Sequence, residues 1–123
     1  RISPTIPYEQ GLAKLASSDV QLLIGYGSEA LYIPAKLYDY LLSGAPILAL
    51  TNSQEVRRIV ETTSSGRWCN GDDVEGAARA LLDMRRERLE GTTPARNSVE
   101  VARYSSEAMT RDFVRLLESQ GLL

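Results

Sequence analysis

Two short apolar runs, Val20-Gln21-Leu22-Leu23-Ile24-Gly25 and Pro46-Ile47-Leu48-Ala49-Leu50, frame the segment whose reading decides the fold. The first is closed by glycine, which suits a buried parallel strand, and the second reads as the next such strand. Between them, residues 26–33 form a loop. Residues 34–43 read as a helix with Pro34 in its first turn, where the missing N–H costs nothing. Gly44 then occupies the usual helix-ending position.

Working outward, residues 1–7 read as an extended entry, because Pro4 and Pro7 favour extended or turn geometry just before them. Residues 8–18 place Tyr8, Leu12, Leu15 and Ala16 on one helical face, with Gly11 a mild cost. After Leu50, Asn52 with Glu55 three residues on makes a capping-box-like start for a helix carrying Val56, Ile59 and Val60. Residues 66–70 read as a weaker strand. The carboxylates of Asp72 and Asp73 then suit the start of a helix carrying Val74, Ala77, Ala78, Leu81 and Leu82. Residues 85–97 are charged and then polar, a solvated helix end plus loop. A last amphipathic helix, about 105–119, shows Met109, Phe113, Leu116 and Leu117. Strands separated by helices of this length imply right-handed βαβ crossovers, hence a three-layer α/β fold with a parallel sheet and flanking helices.

Composition narrows the chemistry. A chain of 123 residues fits one domain, taken as residues 1–123, and 43% hydrophobic with 24% charged residues is ordinary for a soluble globular protein. A net charge of −2 argues against a phosphate-backbone binder, so no nucleic-acid partner is expected. No apolar run approaches the roughly 20 residues of a membrane-spanning helix, and nothing resembles a secretory leader. One cysteine, Cys69, and no histidine exclude an internal disulfide, a usual zinc site, a Ser-His-Asp triad and a histidine general base. Opening at Arg1, on what reads as the end of a strand, the chain is expected to be a fragment of something longer.

In an open parallel sheet, ligands bind at the carboxyl ends of the strands. The loops after Gly25 and Leu50 qualify, and charge selects the first: between Val20 and Leu50 the only charged residues are Glu29, Lys36 and Asp39. Lys36 in a first helical turn opposes the helix dipole, at about 0.3–1 kcal/mol when exposed. A bound anion there would reverse that sign, since free N–H groups and Lys36 would converge on it. Asp39, one turn deeper on the same face, can accept hydrogen bonds from vicinal hydroxyls, as acidic residues do against ribose. The plainer reading is a Lys36–Asp39 surface ion pair worth under about 1 kcal/mol.

Pro34, Lys36, Leu37, Tyr38, Asp39, Tyr40, Leu41, Gly44, Pro46 and Ile47 fall at fixed spacing within this segment. The pattern resembles the donor-site segment of GT-B glycosyltransferases of the family 4 / group 1 type. The resemblance spans roughly residues 2–119. It implies a Rossmann-like sheet forming part of the C-terminal, nucleotide-sugar-binding domain of a two-domain enzyme. A missing N-terminal domain would hold the acceptor. By resemblance, Asp39 would hold the nucleotide ribose, the backbone around Pro34, Ala35 and Lys36 would face the donor diphosphate, and the loop with Tyr26, Gly27, Ser28 and Glu29 would approach the diphosphate or sugar. Tyr26 and Tyr32 would line the pocket. The pattern departs from the family at Leu31, where many relatives carry a glutamate, and at Asp39, one methylene shorter than glutamate. The family's upstream basic clamp has no counterpart before Tyr26 except Arg1 and Lys14.

The expected activity is sugar transfer from an NDP-sugar to a glycan, lipid or small-molecule acceptor, without a metal or a cofactor beyond the donor itself. No catalytic residue is assigned, and the chain alone is expected to be inactive. The alternatives are a nucleotide-sugar epimerase of the same architecture and a non-enzymatic α/β interaction module. A cytoplasmic location is expected, at the inner membrane face if the full-length protein serves a lipid acceptor. Self-association is expected if neighbouring strands are missing. Elsewhere, Cys69 reads as a buried small hydrophobe and Trp68 as a packing residue. Tyr38 and Tyr40 read as core residues with bonded hydroxyls, and Asn52, Ser53 and Glu55 as helix-capping residues within reach of a sugar.

Overall fold

Three four-residue strands pair side by side to make the centre of the molecule. The computed structural model describes residues 4–25 and 32–123. Along the chain run α1 (Tyr8–Ala16), β1 (Gln21–Ile24), α2 (Lys36–Ser43), β2 (Ile47–Leu50), α3 (Gln54–Thr62), β3 (Gly66–Cys69), α4 (Val74–Glu90), α5 (Ser98–Ala102) and α6 (Ser106–Ser119). The strands are parallel in the order β1-β2-β3, with Leu22 opposite Leu48 and Ile24 opposite Leu50. The ladder runs past the strand ends: the Gly25 N–H donates to Leu50 O at 3.0 Å and the Thr51 N–H to Cys69 O at 3.1 Å. This is the parallel α/β arrangement that the alternation of strand and helix predicts.

Each crossover advances one strand in the same direction, so α2 and α3 share one face of the sheet. Leu23, Ile47 and Ala49 point into that layer and pack with Leu37, Tyr40 and Leu41 of α2 and Val56, Ile59 and Val60 of α3. Leu15 of α1 and Val101 of α5 pack against the same cluster. On the opposite face, Ala80 and Met84 of α4 cover Leu48. Among the described residues, α4 packs on β2 and β3 on this face, and the β1 side chains there stay exposed. Leu22 and Ile24 are 48% and 49% exposed, although the sequence suggests a strand buried on both faces.

Helix boundaries follow local chemistry, with corrections to the sequence reading. α2 starts at Lys36 after Ala35, and Pro34 lies just outside it, its carbonyl accepting from the Leu37 N–H at 3.0 Å. α2 stops at Gly44, whose φ of +87° is the left-handed conformation that favours glycine. The cap of α3 is Ser53, not Asn52: the Ser53 Oγ accepts from the Val56 N–H at 3.3 Å. Asn52 instead reaches across to β3's exit, where its Oδ1 accepts from the Gly71 N–H at 3.1 Å. Asp73 caps α4 through the Gly76 N–H at 2.9 Å, as a carboxylate at a helix start should. The solvated helix end is residues 85–90, closed by Gly91.

α5 has no counterpart in the sequence reading. Five residues are too few to show a period, yet Asn97 caps them through the Glu100 N–H at 3.2 Å. The Asn97 N–H also donates to Thr63 O at 2.9 Å, tying α5 to the end of α3. α6 falls where expected, but its apolar residues Met109, Phe113 and Leu116 remain exposed. No helix among the described residues is long and apolar enough to cross a membrane.

Candidate functional site

The carboxyl edge of the sheet collects the loops that lead into α2, α3 and α4. Most polar groups there bind each other. Thr51 is 2% exposed, and its Oγ1 accepts from the Ser53 N–H at 3.2 Å. Gly25 passes so close that a Cβ at this position would sit 2.4 Å from the Thr51 Oγ1, so only glycine fits without displacement. Asn52 is bound to Gly71, and Glu55 is paired with Arg58, whose guanidinium holds the Glu55 carboxyl below its ordinary pKa. The residues after β2 thus stabilise their own turn, and their capping roles are the ones the structure supports.

The first turn of α2 differs. Lys36 is exposed at the helix start and Asp39, half-buried, follows one turn on. Among the described residues, no ion pair joins them, which overturns the reading of a Lys36–Asp39 surface pair. Asp39 is engaged from another element. The Tyr8 hydroxyl, at the start of α1, donates to Asp39 Oδ1 at 2.7 Å. That bond is the main cause of the Tyr8 phenol's raised pKa. Helices α1 and α2 lie against each other, and Tyr8 itself is 63% exposed, not turned inward with Leu12 and Leu15 as the helical face suggests.

Of the other residues the sequence selects, Tyr32 is exposed and Pro34 half-buried at the approach to α2, and Ala35 is exposed at its cap. Tyr26, Gly27, Ser28 and Glu29 lie outside the described residues, as does Leu31. Ser43, on the same helical face as Lys36 in projection, belongs to the opposite end: its Oγ lies 2.9 Å from Gln21 Oε1 and 3.0 Å from Tyr40 O. Tyr40 is a core residue as expected, its hydroxyl donating to Leu22 O at 3.1 Å. Tyr38, half-buried, packs at a tilt of 41° against Tyr104, with ring centroids 6.5 Å apart. Trp68 packs under Arg57, 4.8 Å from its ring centroid, and Cys69 is half-buried with its thiol pKa raised by burial.

A cavity of about 730 Å³ opens at the other end of the sheet, where Asp19, Pro46 and Gly66 lead into the strands. Its charges already have partners. Arg67 pairs with Glu87 and Arg88 with Asp19, while Arg96 donates to Leu41 O at 2.7 Å and to the carbonyls of Tyr40 and Ala45. Arg96 thereby caps the C-terminus of α2, where a cation is favoured, and burial lowers its pKa. The cavity is therefore a structural joint and lies away from Asp39.

Two residues that matter here escape the periodic reading. Tyr8 looks apolar by helical spacing; the signal that could have exposed it is its place as the first helical residue after Pro7, from which a long side chain can reach a neighbouring helix. Arg96 carries no local signal, because its acceptors lie more than fifty residues earlier. No family model, no curated protein and no solved structure matches this chain.

Proposed function

We propose that this chain is the nucleotide-sugar-binding part of a GT-B type glycosyltransferase, with its donor site at the first turn of α2. The observation that carries the reading is Asp39: an acidic residue one turn into the helix that follows β1, its Oδ1 held by Tyr8 and no other partner among the described residues. It occupies the position at which the Pro34–Ile47 pattern resembles a ribose-binding segment. Lys36 and the positive end of α2 would face the diphosphate, although the Leu37 and Tyr38 N–H groups already donate to Pro34 O and Ala35 O. The protein's contribution to transfer would be positioning and stabilisation of charge on the departing nucleoside diphosphate. The Rossmann-like character of the sheet, the acceptor domain and the choice of acceptor belong to this proposal.

Two-dimensional NMR titration with UDP, GDP and dTDP, repeated on Asp39→Ala, tests it. The expected result is saturable shifts around α2 for one nucleotide, with affinity lowered about tenfold or more by the substitution, as for loss of a hydrogen bond to a charged group. Equal affinity in both proteins would remove Asp39 from the site and the reading with it.

A further inference from the structure

Asp39 is the shorter of the two carboxylic acids and sits on a helix surface, where its side chain would ordinarily sample several rotamers. The Tyr8 hydroxyl restricts it. A phenol donating at 2.7 Å to one carboxylate oxygen narrows the rotamers of the side chain and leaves Oδ2 as the oxygen without a partner among the described residues. The contact joins residues 31 apart in sequence, so it depends on α1 docking against α2 and is not a local accident of one helix.

We infer that Tyr8 is a positioning residue of the nucleotide site: by holding Asp39 Oδ1 it presents Oδ2 to the ribose hydroxyls, and so makes the site selective for ribonucleoside diphosphates. The inference rests on the donor-site reading of Asp39. It adds a residue from α1 to a site otherwise built from α2, and it names the sugar of the nucleotide as the part that is read. A carboxylate has about four acceptor positions, so the Tyr8 bond orients the group without exhausting it.

The test measures coupling between the phenol and the ribose hydroxyls. Affinities of UDP and GDP, and of their 2′,3′-dideoxy counterparts, are measured by calorimetry for the 123-residue chain, Tyr8→Phe and Asp39→Ala. The wild type should prefer the ribo form about tenfold or more, and Tyr8→Phe should cut that preference at least about threefold, as for loss of a charge-assisted bond. The ring stays in place in Tyr8→Phe, so a purely structural link between α1 and α2 would change both ligands alike and leave the ratio intact. An intact or increased ratio in Tyr8→Phe, together with its loss in Asp39→Ala, would overturn the role of Tyr8 and leave the donor site standing. No preference in the wild type, or no nucleotide binding, would overturn both. The bond is checked separately by Asp39→Asn: phenolate absorbance should show one tyrosine ionising at lower pH than in the wild type, and an unchanged titration would show that the contact is absent in solution.

Discussion

Arg96 and Gln21 hold the same two carbonyls, and this sharing predicts how their substitutions combine. Gln21 is 3% exposed, and its Nε2 donates to Ala45 O at 2.7 Å and Tyr40 O at 3.4 Å. Arg96 bonds both of those carbonyls and, in addition, Leu41 O. In Arg96→Met, Leu41 O loses this side-chain donor, a loss of about 1–3 kcal/mol for a buried acceptor. Removing a cation from the helix C-terminus adds about 0.3–1 kcal/mol. Relief of the arginine's own desolvation opposes these, so the net expectation is about 1.5–3 kcal/mol. In Gln21→Met, Arg96 still serves both shared carbonyls and the loss should be about 0.5–1.5 kcal/mol. With both gone, Ala45 O loses both of its side-chain donors, and the double variant should fall about 1 kcal/mol or more below the sum of the singles. Urea unfolding followed through Trp68, the only tryptophan, reads all four proteins at a common m-value. Stability within about 0.5 kcal/mol of wild type for Arg96→Met, or additivity within the same margin for the pair, would refute the shared-acceptor reasoning.

Cys69 should react slowly with a disulfide reagent at neutral pH and quickly once the protein is unfolded, because burial raises its pKa. The sign for stability follows: the contribution is whole below the pKa of an unfolded cysteine and is lost as pH rises through the higher folded value, so alkaline unfolding of Cys69→Ala should begin later. The bare β1 face and the exposed stripe of α6 predict concentration-dependent self-association, read by light scattering. Ile24→Lys should shift the chain toward monomer, and a wild type that stays monomeric at high concentration would contradict the expectation.

Periodicity made most of this architecture legible. Short apolar runs closed by Gly25 and Leu50, and helices with clear apolar faces around Leu37 and Val56, report burial directly, since burial is what spaces those residues. The misses have one character. Asn52 and Ser53 are both good caps, and which of them caps α3 depends on Gly71, which takes up the Asn52 side chain from a distant loop. Tyr8 and Arg96 act through partners 31 and more than fifty residues away, and no local pattern records such pairing. Of the candidate site, charge sparsity and motif spacing single out Asp39, whereas its hydrogen-bond partner Tyr8 carries no such signal.

The direction of the crossovers bears on where a ligand crevice can form. Such crevices open where the strand order reverses, and β1-β2-β3 advances one way throughout. A right-handed crossover that advances the same way places its helix on the α2–α3 face, and one that advances the opposite way places it on the other face. The exposed Leu22 and Ile24 lie on that other face, beside the edge of β1 that no strand among the described residues pairs with. Helices that covered them through right-handed crossovers would connect strands added beyond β1 in the opposite direction. The reversal, and with it the crevice, would then fall at β1, next to the first turn of α2 and to Asp39. α1 fits the same geometry, because it lies on the α2 face, and a strand feeding it by a right-handed crossover would also lie beyond β1. On the donor-site proposal one neighbour would serve both ends: crossover helices from strands added past β1 would cover Leu22 and Ile24, and the strand reversal would set a crevice beside the Tyr8–Asp39 pair.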